Sequence, residues 1–217
     1  GITKFCIHPD DWYRSKNRVG GTKSVDIDSV RALNPDLIIG NKEENSEEDI
    51  EALSSIAPVW MSDIDSLDGA LEMIHMVGKL TNKSTEELTA SIQSAFNELT
   101  VFVDNDLKKN ESVLYFIWQS PDMIAGKDTF IDDLLNRIGL VNATTMSRYP
   151  PLESTMEVDH VFLSSEPFPF AEKHLDLFQK FFPEAKITLV DGEMFSWYGS
   201  KLVDVPSYFI KLLKSIR

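Results

Sequence analysis

The 217-residue chain contains a single cysteine, Cys6, so no disulfide can form within it. Its apolar runs all fall short of the roughly 18 consecutive residues that cross a bilayer. Basic residues are also scarce: 21 Lys and Arg stand against 35 Asp and Glu, which gives a net charge of −14. An acidic surface repels phosphate backbones, and no basic cluster with interleaved aromatic residues is present. We therefore expect no nucleic-acid partner.

Familiar catalytic motifs are missing as well. The chain has no G-x-S-x-G, no H-E-x-x-H and no Walker lysine motif. The carboxylate pairs at residues 43–44 and 132–133 are adjacent in sequence and point to different faces, so solvated surface charge is the better interpretation of both. An α/β enzyme that uses Cys6 or His8 remains an open alternative.

What the chain does contain is an alternation of strand and helix patterns at the spacing of βαβ units. Residues 35–40, PDLIIG, contain a continuous apolar run after the aspartate, which is typical of a strand in a parallel sheet covered on both faces. The order acidic residue, strand, loop, helix, proline, strand occurs at 36–62 and again at 159–191, which indicates two lobes of similar build. Further strands are predicted at 2–7, 58–62, 112–118, 159–164 and 186–190, and helices at 26–33, 46–56, 66–80, 129–138, 174–182 and 205–216.

A longer helix is predicted over residues 84–109, where apolar residues recur every three or four positions. Ser84 and Glu87 have the spacing of a capping box, and Lys108 and Lys109 lie near the negative end of the helix dipole. At 1.5 Å per residue the helix is a rod of roughly 37 Å. We predict a first lobe at 1–83, this helix as the connection, and a second lobe at 110–217, with a ligand cleft between the lobes. The predicted inward stripe is Leu88, Ile92, Phe96, Leu99, Val103 and Leu107.

Residues that follow the predicted strands are the candidate ligand contacts, because ligands of open α/β sheets bind beyond the carboxyl ends of the strands. All four tryptophans fall at or near strand ends. Indole and phenyl rings suit a large, flat, partly apolar ligand better than a small ion. The candidate ligand-binding residues are Trp12, Asn41, Lys42, Glu43, Trp60, Trp118, Phe168 and Trp197.

A metal site formed by the protein alone is the other interpretation. Cys6 and His8, two residues apart, would project to the same face if both were on a strand, and Asp10 or Asp11 could follow. No second cysteine or histidine lies near them in the sequence. We therefore expect a metal to arrive inside a chelate, with at most one protein ligand, such as His8.

Taken together, the motifs resemble the substrate-binding proteins of ABC importers for iron-siderophores, haem and cobalamin. The resemblance implies two Rossmann-like α/β lobes joined by one long rigid helix, with the first lobe lacking the strand and helix that begin the family's pattern. It also implies a non-enzymatic receptor that binds a metal chelate in the cleft. The motifs are RVGGTKS (18–24), NPDLIIGN (34–41), PVW (58–60), VLYFIW (113–118), AGKDTFIDDLL (125–135), GLVN (139–142), RYPPL (148–152), VFLSSEPF (161–168) and SWYGSKL (196–202).

The same resemblance carries roles onto individual positions. It implies that the loop at 41–43, Trp118, the Phe168 region and Trp197 face the ligand, and that Asp132, Asp133 or Glu172 docks on an ABC permease. It further implies a monomer located in the periplasm or at the cell surface, with its signal or anchor outside this chain.

The expected ligand is a corrinoid, a haem or an iron-siderophore, with no cofactor of the protein's own. The dispersed basic residues and the four tryptophans favour the less anionic of these chelates. A sensory or scaffold domain that retains this fold and binds a partner protein is the remaining alternative.

Overall fold

A computed structural model describes residues 1–105, 110–154 and 156–217. The chain forms two compact units, Gly1–Asp63 and Ile64–Arg217. This division lies earlier than the boundary at residue 83 that the sequence indicated. The reason is that the helix at Leu67–Thr81 buries Leu67, Ala70 and Ile74 in the core of the second unit.

The first unit is small, and its core centres on Val19, Val30 and Leu53. Its elements are α1 (Asp10–Ser15), β1 (Gly20–Gly21), β2 (Ser24–Val25), α2 (Ile27–Leu33), β3 (Ile38–Asn41), α3 (Glu47–Ser54) and β4 (Val59–Ser62). Strands β1 and β2 pair antiparallel, while β3 and β4 pair parallel with Ile38 opposite Val59. Helix α3 begins at the predicted cap, since Ser46 accepts a hydrogen bond from the amide of Asp49.

The strand predicted at residues 2–7 is wrong. Within these residues, all of which the structure describes, Ile2 makes an isolated bridge to Arg18 and no strand forms. The backbone turns instead, because the amide of Cys6 donates to the carbonyl of Thr3 (3.2 Å). Phe5 and Ile7 are left exposed, at 56% and 39%, so no core holds this segment extended.

The second unit is built on a five-stranded sheet covered by helices. Its elements are α4 (Leu67–Thr81), α5 (Glu86–Asp104), β5 (Glu111–Trp118), β6 (Met123–Ile124), α6 (Phe130–Arg137), β7 (Leu140–Asn142), β8 (His160–Ser164), α7 (Leu175–Phe181), β9 (Lys186–Val190), α8 (Glu193–Ser196) and α9 (Val205–Ile216). The strand order is β6-β5-β8-β9, and β7 also pairs with β5. Strands β5, β7, β8 and β9 are parallel, and β6 is antiparallel. Short 3₁₀ turns lie at Glu172–His174 and Ser200–Val203.

Both faces of this sheet are covered, as the continuous apolar strands predict. Along β5, Val113 and Tyr115 belong to a core shared with α4, α5, α6, α8 and α9. Leu114 and Phe116 belong to a second core, which includes Phe178 of α7. The side chains of β5 therefore alternate between two buried layers, and the sheet is held in place from both sides.

Helix α5 confirms the central part of the predicted rod. It runs unbroken for 19 residues and buries Ile92, Phe96, Leu99 and Val103. Its cap residue is Thr85 rather than Ser84, and within the described part of the chain Thr85 accepts no capping hydrogen bond, so the predicted capping box is wrong. The predictions for 107–109 lie outside the described residues. That α5 joins two lobes stays a prediction.

Asp159 joins the starts of β5 and β8 and gives the fold a dependence on pH. The hydroxyl and the amide of Ser112 both donate to Asp159 Oδ2 at 2.7 Å, and these bonds lower the pKa of that carboxyl. A carboxyl whose pKa is lower in the folded state stabilises the fold above its unfolded pKa of about 3.9, and this stabilisation is lost as the pH falls through the folded pKa.

Asp159→Asn should therefore lower the free energy of unfolding at pH 7 by at most about 1 kcal/mol, because the carboxylate is exposed and screened. It should also make stability fall less between pH 7 and pH 3 than it does in the unmodified protein. Urea unfolding at both pH values measures this, with Asp65→Asn as an exposed control. An acid dependence identical to that of the unmodified protein would contradict the assignment.

Candidate functional site

The carboxyl edge of the five-stranded sheet is the candidate site of the second unit. Strands β5, β8 and β9 are parallel and adjacent, so Trp118, Ser164 and Val190 end at one edge. Neighbouring strands lie about 4.8 Å apart, which places the ends of β5 and β9 about 10 Å from each other across β8. The loops that leave these three strands therefore emerge side by side.

Aromatic side chains occupy the β5 end of this edge. The Trp118 ring meets Phe168 edge to face, with 5.7 Å between the ring centroids. Phe168 packs in turn against Phe170 (4.7 Å) and His174 (5.6 Å), both of which are buried. Trp118 itself is 41% exposed, so the ring is braced on one side and open to solvent on another. Such a ring is suited to stack against a flat apolar ligand.

A carboxylate holds the second tryptophan at the β9 end. Glu166 Oε1 accepts hydrogen bonds from the Trp197 indole Nε1 (2.8 Å) and from Ser196 Oγ (2.7 Å). Glu166 lies in the loop after β8, whereas Ser196 and Trp197 end helix α8 after β9. One oxygen thus connects the loops of two neighbouring strands.

Lys201 lies over the same indole, with its ammonium 5.6 Å from the ring centroid of Trp197. It pairs with Glu193 Oε2, and this hydrogen bond is the main cause that raises the pKa of Lys201. The ammonium therefore stays protonated at neutral pH. Asp191, Glu193 and Glu166 supply three carboxylates here, so the β9 end of the edge is negative on balance.

Behind Glu166 lies a buried hydrogen-bond chain. The Tyr115 hydroxyl donates to Ser164 Oγ (3.1 Å), and Ser164 Oγ donates to the carbonyl of Glu166 (2.6 Å). Burial raises the pKa of Tyr115, so the phenol remains a donor. The backbone of Gly192 packs directly against this chain. A Cβ at that position would lie 2.5 Å from both Ser164 Oγ and Glu166 Cγ, so a larger residue does not fit.

In the first unit, Asn41 shapes the loop after β3. Its Oδ1 accepts from the amides of Glu43 (3.0 Å) and Glu44 (3.2 Å), and its Nδ2 donates to Ser62 Oγ (3.1 Å). Lys42 pairs with Asp63. These bonds give Asn41 a structural role in the loop. Ligand contacts by Asn41, Lys42 and Glu43 stay predictions.

The other candidates of the first unit lie on separate elements. Trp12 is on α1, 55% exposed, with Lys16 Nζ 5.7 Å from its ring centroid. Trp60 is partly buried in β4, opposite Ile39 of β3. His8 is exposed and precedes α1, and because residues 2–7 form no strand, it does not share a strand face with Cys6. Among the described residues, no three His, Cys, Asp or Glu side chains are grouped as metal ligands.

Comparison with known proteins identifies the family. A family model described as periplasmic binding protein matches residues 1–159. The chain belongs to the periplasmic binding protein family. The members of this family are binding proteins for transport, so this periplasmic binding protein is not an enzyme that uses Cys6 or His8. No curated protein sequence matches the chain.

Solved structures share its fold. One is the periplasmic haem-binding protein BhuT in complex with two haems, with 18% identity, a TM-score of 0.82, and coverage of 99% of this chain and 88% of that one. Haem-binding RhuT from Roseiflexus sp. RS-1 has 16% identity, a TM-score of 0.81, and coverage of 100% and 90%. Vitamin B12-binding BtuF of Vibrio cholerae has 14% identity, a TM-score of 0.80, and coverage of 99% and 88%. The predicted α/β fold class is confirmed.

Two of the three predicted docking carboxylates of this periplasmic binding protein are engaged within the chain. Asp132 pairs with Lys127 (3.1 Å). Asp133 pairs with Arg137 (2.7 Å) and accepts from the amide of Leu67 (2.9 Å), so it also caps the start of α4. Glu172 lies exposed in the 3₁₀ turn before α7. Docking by any of the three stays a prediction. Within the described ranges, no helix has the length and apolarity that crossing a membrane requires.

Both tryptophans of this edge are among the ligand contacts that the sequence predicts, whereas Glu166, Ser196 and Lys201 are not. Glu166 follows a predicted strand, so its position was a usable signal. Its bond to Trp197 spans 31 residues and depends on β8 lying next to β9, which no local pattern in the sequence indicates.

Proposed function

We propose that this periplasmic binding protein is the substrate-binding component of an ABC importer and that it binds a flat metal chelate, haem or a corrinoid. The chelate binds at the carboxyl edge of the sheet in the second unit. The observation that carries the proposal is the exposed ring of Trp118, braced by Phe168, on the same edge as the fixed indole of Trp197. The binding of haem and vitamin B12 by proteins of the same fold supports it.

Charge narrows the ligand class. The β9 end of the edge carries Glu166, Asp191 and Glu193, and the ammonium of Lys201 is already paired with Glu193. Lys127, which follows β6, pairs with Asp132. Bringing a highly anionic chelate to this edge places like charges together, which is unfavourable. The arrangement favours a macrocycle of low net charge over a multiply charged ferric siderophore.

A thermal-shift panel of haem, cobalamin, cobinamide and several ferric siderophores tests the proposal. A ligand present at 100 times its dissociation constant stabilises the fold by about 2.7 kcal/mol, which raises the melting temperature by about 5–10 °C for a unit of this size. We expect that shift with haem or a corrinoid and a smaller one with anionic siderophores.

A shift confined to the anionic siderophores would overturn the ligand class, and no shift with any chelate would overturn the binding function. Delivery is tested separately, by chelate uptake into liposomes that contain a permease and ATPase encoded beside this protein. Uptake that proceeds equally without the protein would contradict a role in delivery.

A further inference from the structure

Hydrogen bonds hold Glu166 both at its side chain and at its backbone. Its Oε1 accepts from Trp197 Nε1 at 2.8 Å and from Ser196 Oγ at 2.7 Å. On the backbone side, its carbonyl accepts from Ser164 Oγ (2.6 Å), which in turn accepts from the buried Tyr115 hydroxyl. Glu166 is therefore bonded to the end of the sheet through its backbone carbonyl and to the indole through its carboxylate.

The surrounding backbone leaves Glu166 little room to shift. Gly192, at the start of α8, passes so close that a Cβ there would lie 2.5 Å from Glu166 Cγ. The amide of Gly192 donates to Ser165 Oγ (2.9 Å), which holds the two loops together next to the carboxylate. A hydrogen bond to an ionised acceptor is shorter and stronger than one between neutral groups. Glu166 is therefore a rigid acceptor for the indole.

Trp197 lies at the surface of the unit, where the orientation of its ring matters for any ligand that stacks on it. It is partly exposed, follows the last residue of the four-residue helix α8, and has Lys201 over its ring at 5.6 Å. A cation above an aromatic ring attracts the ring but leaves it free to rotate within its own plane. A directional hydrogen bond from the indole Nε1 removes that freedom. Fixing a side chain before binding removes the entropic cost of ordering it when the ligand arrives.

We propose that Glu166 is a positioning residue that orients the Trp197 indole for the flat ligand and so raises the affinity of the site. The inference rests on the proposed function, because it concerns the same edge of the sheet. Glu166 acts through Trp197 rather than by touching the ligand. Its effect on affinity should therefore depend on the presence of the indole N–H.

A double-mutant cycle with haem as the probe measures this dependence. Glu166→Ala should weaken haem binding about 10-fold, which is the size expected from the loss of one pre-ordered side chain. Glu166→Gln keeps an oxygen acceptor and should stay within about 3-fold of the unmodified protein. In a Trp197→Phe background, which has a ring but no N–H, Glu166→Ala should change affinity by less than about 2-fold. Glu184→Ala, an exposed carboxylate elsewhere in the unit, is the matched control.

A readout without ligand separates this inference from the proposed function. With Trp12, Trp60 and Trp118 changed to phenylalanine, Trp197 is the sole fluorophore of its kind, and its anisotropy should fall with Glu166→Ala and recover with Glu166→Gln. Unchanged anisotropy overturns the positioning role even if haem does not bind at all. Equal losses of haem affinity in the unmodified and the Trp197→Phe backgrounds also overturn it, since they would show that Glu166 acts independently of the indole. Circular dichroism of each variant identifies any that fail to fold. If Glu166→Ala is one of them, Trp197→Phe replaces it, because it removes the same hydrogen bond from the donor side, and haem affinity equal to that of the unmodified protein then overturns the positioning role.

Discussion

Replacing Trp118 with alanine is expected to weaken haem binding by about 10- to 30-fold, which corresponds to about 1.4–2 kcal/mol of binding free energy. The reason is that the ring is partly exposed at the carboxyl end of β5 and braced by Phe168, so it offers the ligand a rigid apolar surface without reorganisation. Trp197→Ala should have an effect of the same order, because its indole is held at Nε1 by Glu166. The double variant should bind more weakly than either single variant.

Titration of haem into each variant, followed by the absorbance of the bound chelate, measures these affinities. Phe181→Ala is the matched control, since it removes an aromatic ring that is 52% exposed. Phe181 is the last residue of α7 and lies away from the carboxyl ends of the strands. We expect its affinity to equal that of the unmodified protein. Unchanged affinity in both tryptophan variants would remove this edge from the binding site and leave the tryptophans of the first unit, Trp12 and Trp60, as the candidates.

Much of the fold could be predicted because its elements are marked by local patterns. The strands at 112–118 and 186–190 are rich in β-branched, aromatic and other apolar residues, and the helices at 66–80 and 205–216 carry a clear apolar face. The predicted positions therefore agree with β5, β9, α4 and α9 to within a residue or two. The segments that failed lack such support. Residues 2–7 are apolar enough for a strand, but the backbone bonds of Ile2 and Lys4 to residues 17–20 amount to a single bridge, and the amide of Cys6 then turns the chain back to Thr3.

The short strands β6 and β7 could not be predicted from the sequence for a different reason. Each has two or three residues, too few for an apolar alternation to be recognised, and each exists because β5 is long enough to accept a partner on the same side at both of its ends. Their formation depends on tertiary pairing rather than on propensity. No local pattern therefore predicts a strand at 123–124 or at 140–142.

The candidate site was predictable only in part for a related reason. The rule that ligands bind beyond strand ends selected Trp118, Phe168 and Trp197 without knowledge of the strand order. Which carboxylates and hydroxyls surround them depends on that order. Glu166 meets Trp197 because β8 and β9 are neighbours in register, with Ser164 opposite Val190, and that pairing is a property of the whole sheet.

Phe195→Ala is expected to lower the free energy of unfolding by about 3–5 kcal/mol, the range observed for large buried aromatic residues. Phe195 is fully buried in α8 and packs against Tyr115 (5.0 Å between centroids), Phe209 (4.7 Å) and Phe162 (6.2 Å). It therefore joins two central strands to helix α9. Because natural domains are stable by only about 5–15 kcal/mol, this one change removes a large share of the stability of the second unit.

The loss of the Phe195 ring should also disturb the position of Trp197. Helix α8 has four residues, and its C-terminal end carries Ser196 and Trp197. With its anchor removed, the helix can no longer hold the indole against Glu166, and haem affinity should fall even under conditions where the variant is folded. Urea unfolding gives the stability, and hydrogen exchange of the β8 and β9 amides locates the loss in the second unit. Phe181→Ala, exposed on α7, should change stability by less than about 0.5 kcal/mol. If Phe195→Ala lowered the free energy of unfolding by less than about 1 kcal/mol, the aromatic residues around Phe195 would have to relax into the cavity. The position of α8 would then depend on the hydrogen bonds of Glu166 and Gly192 rather than on the buried ring.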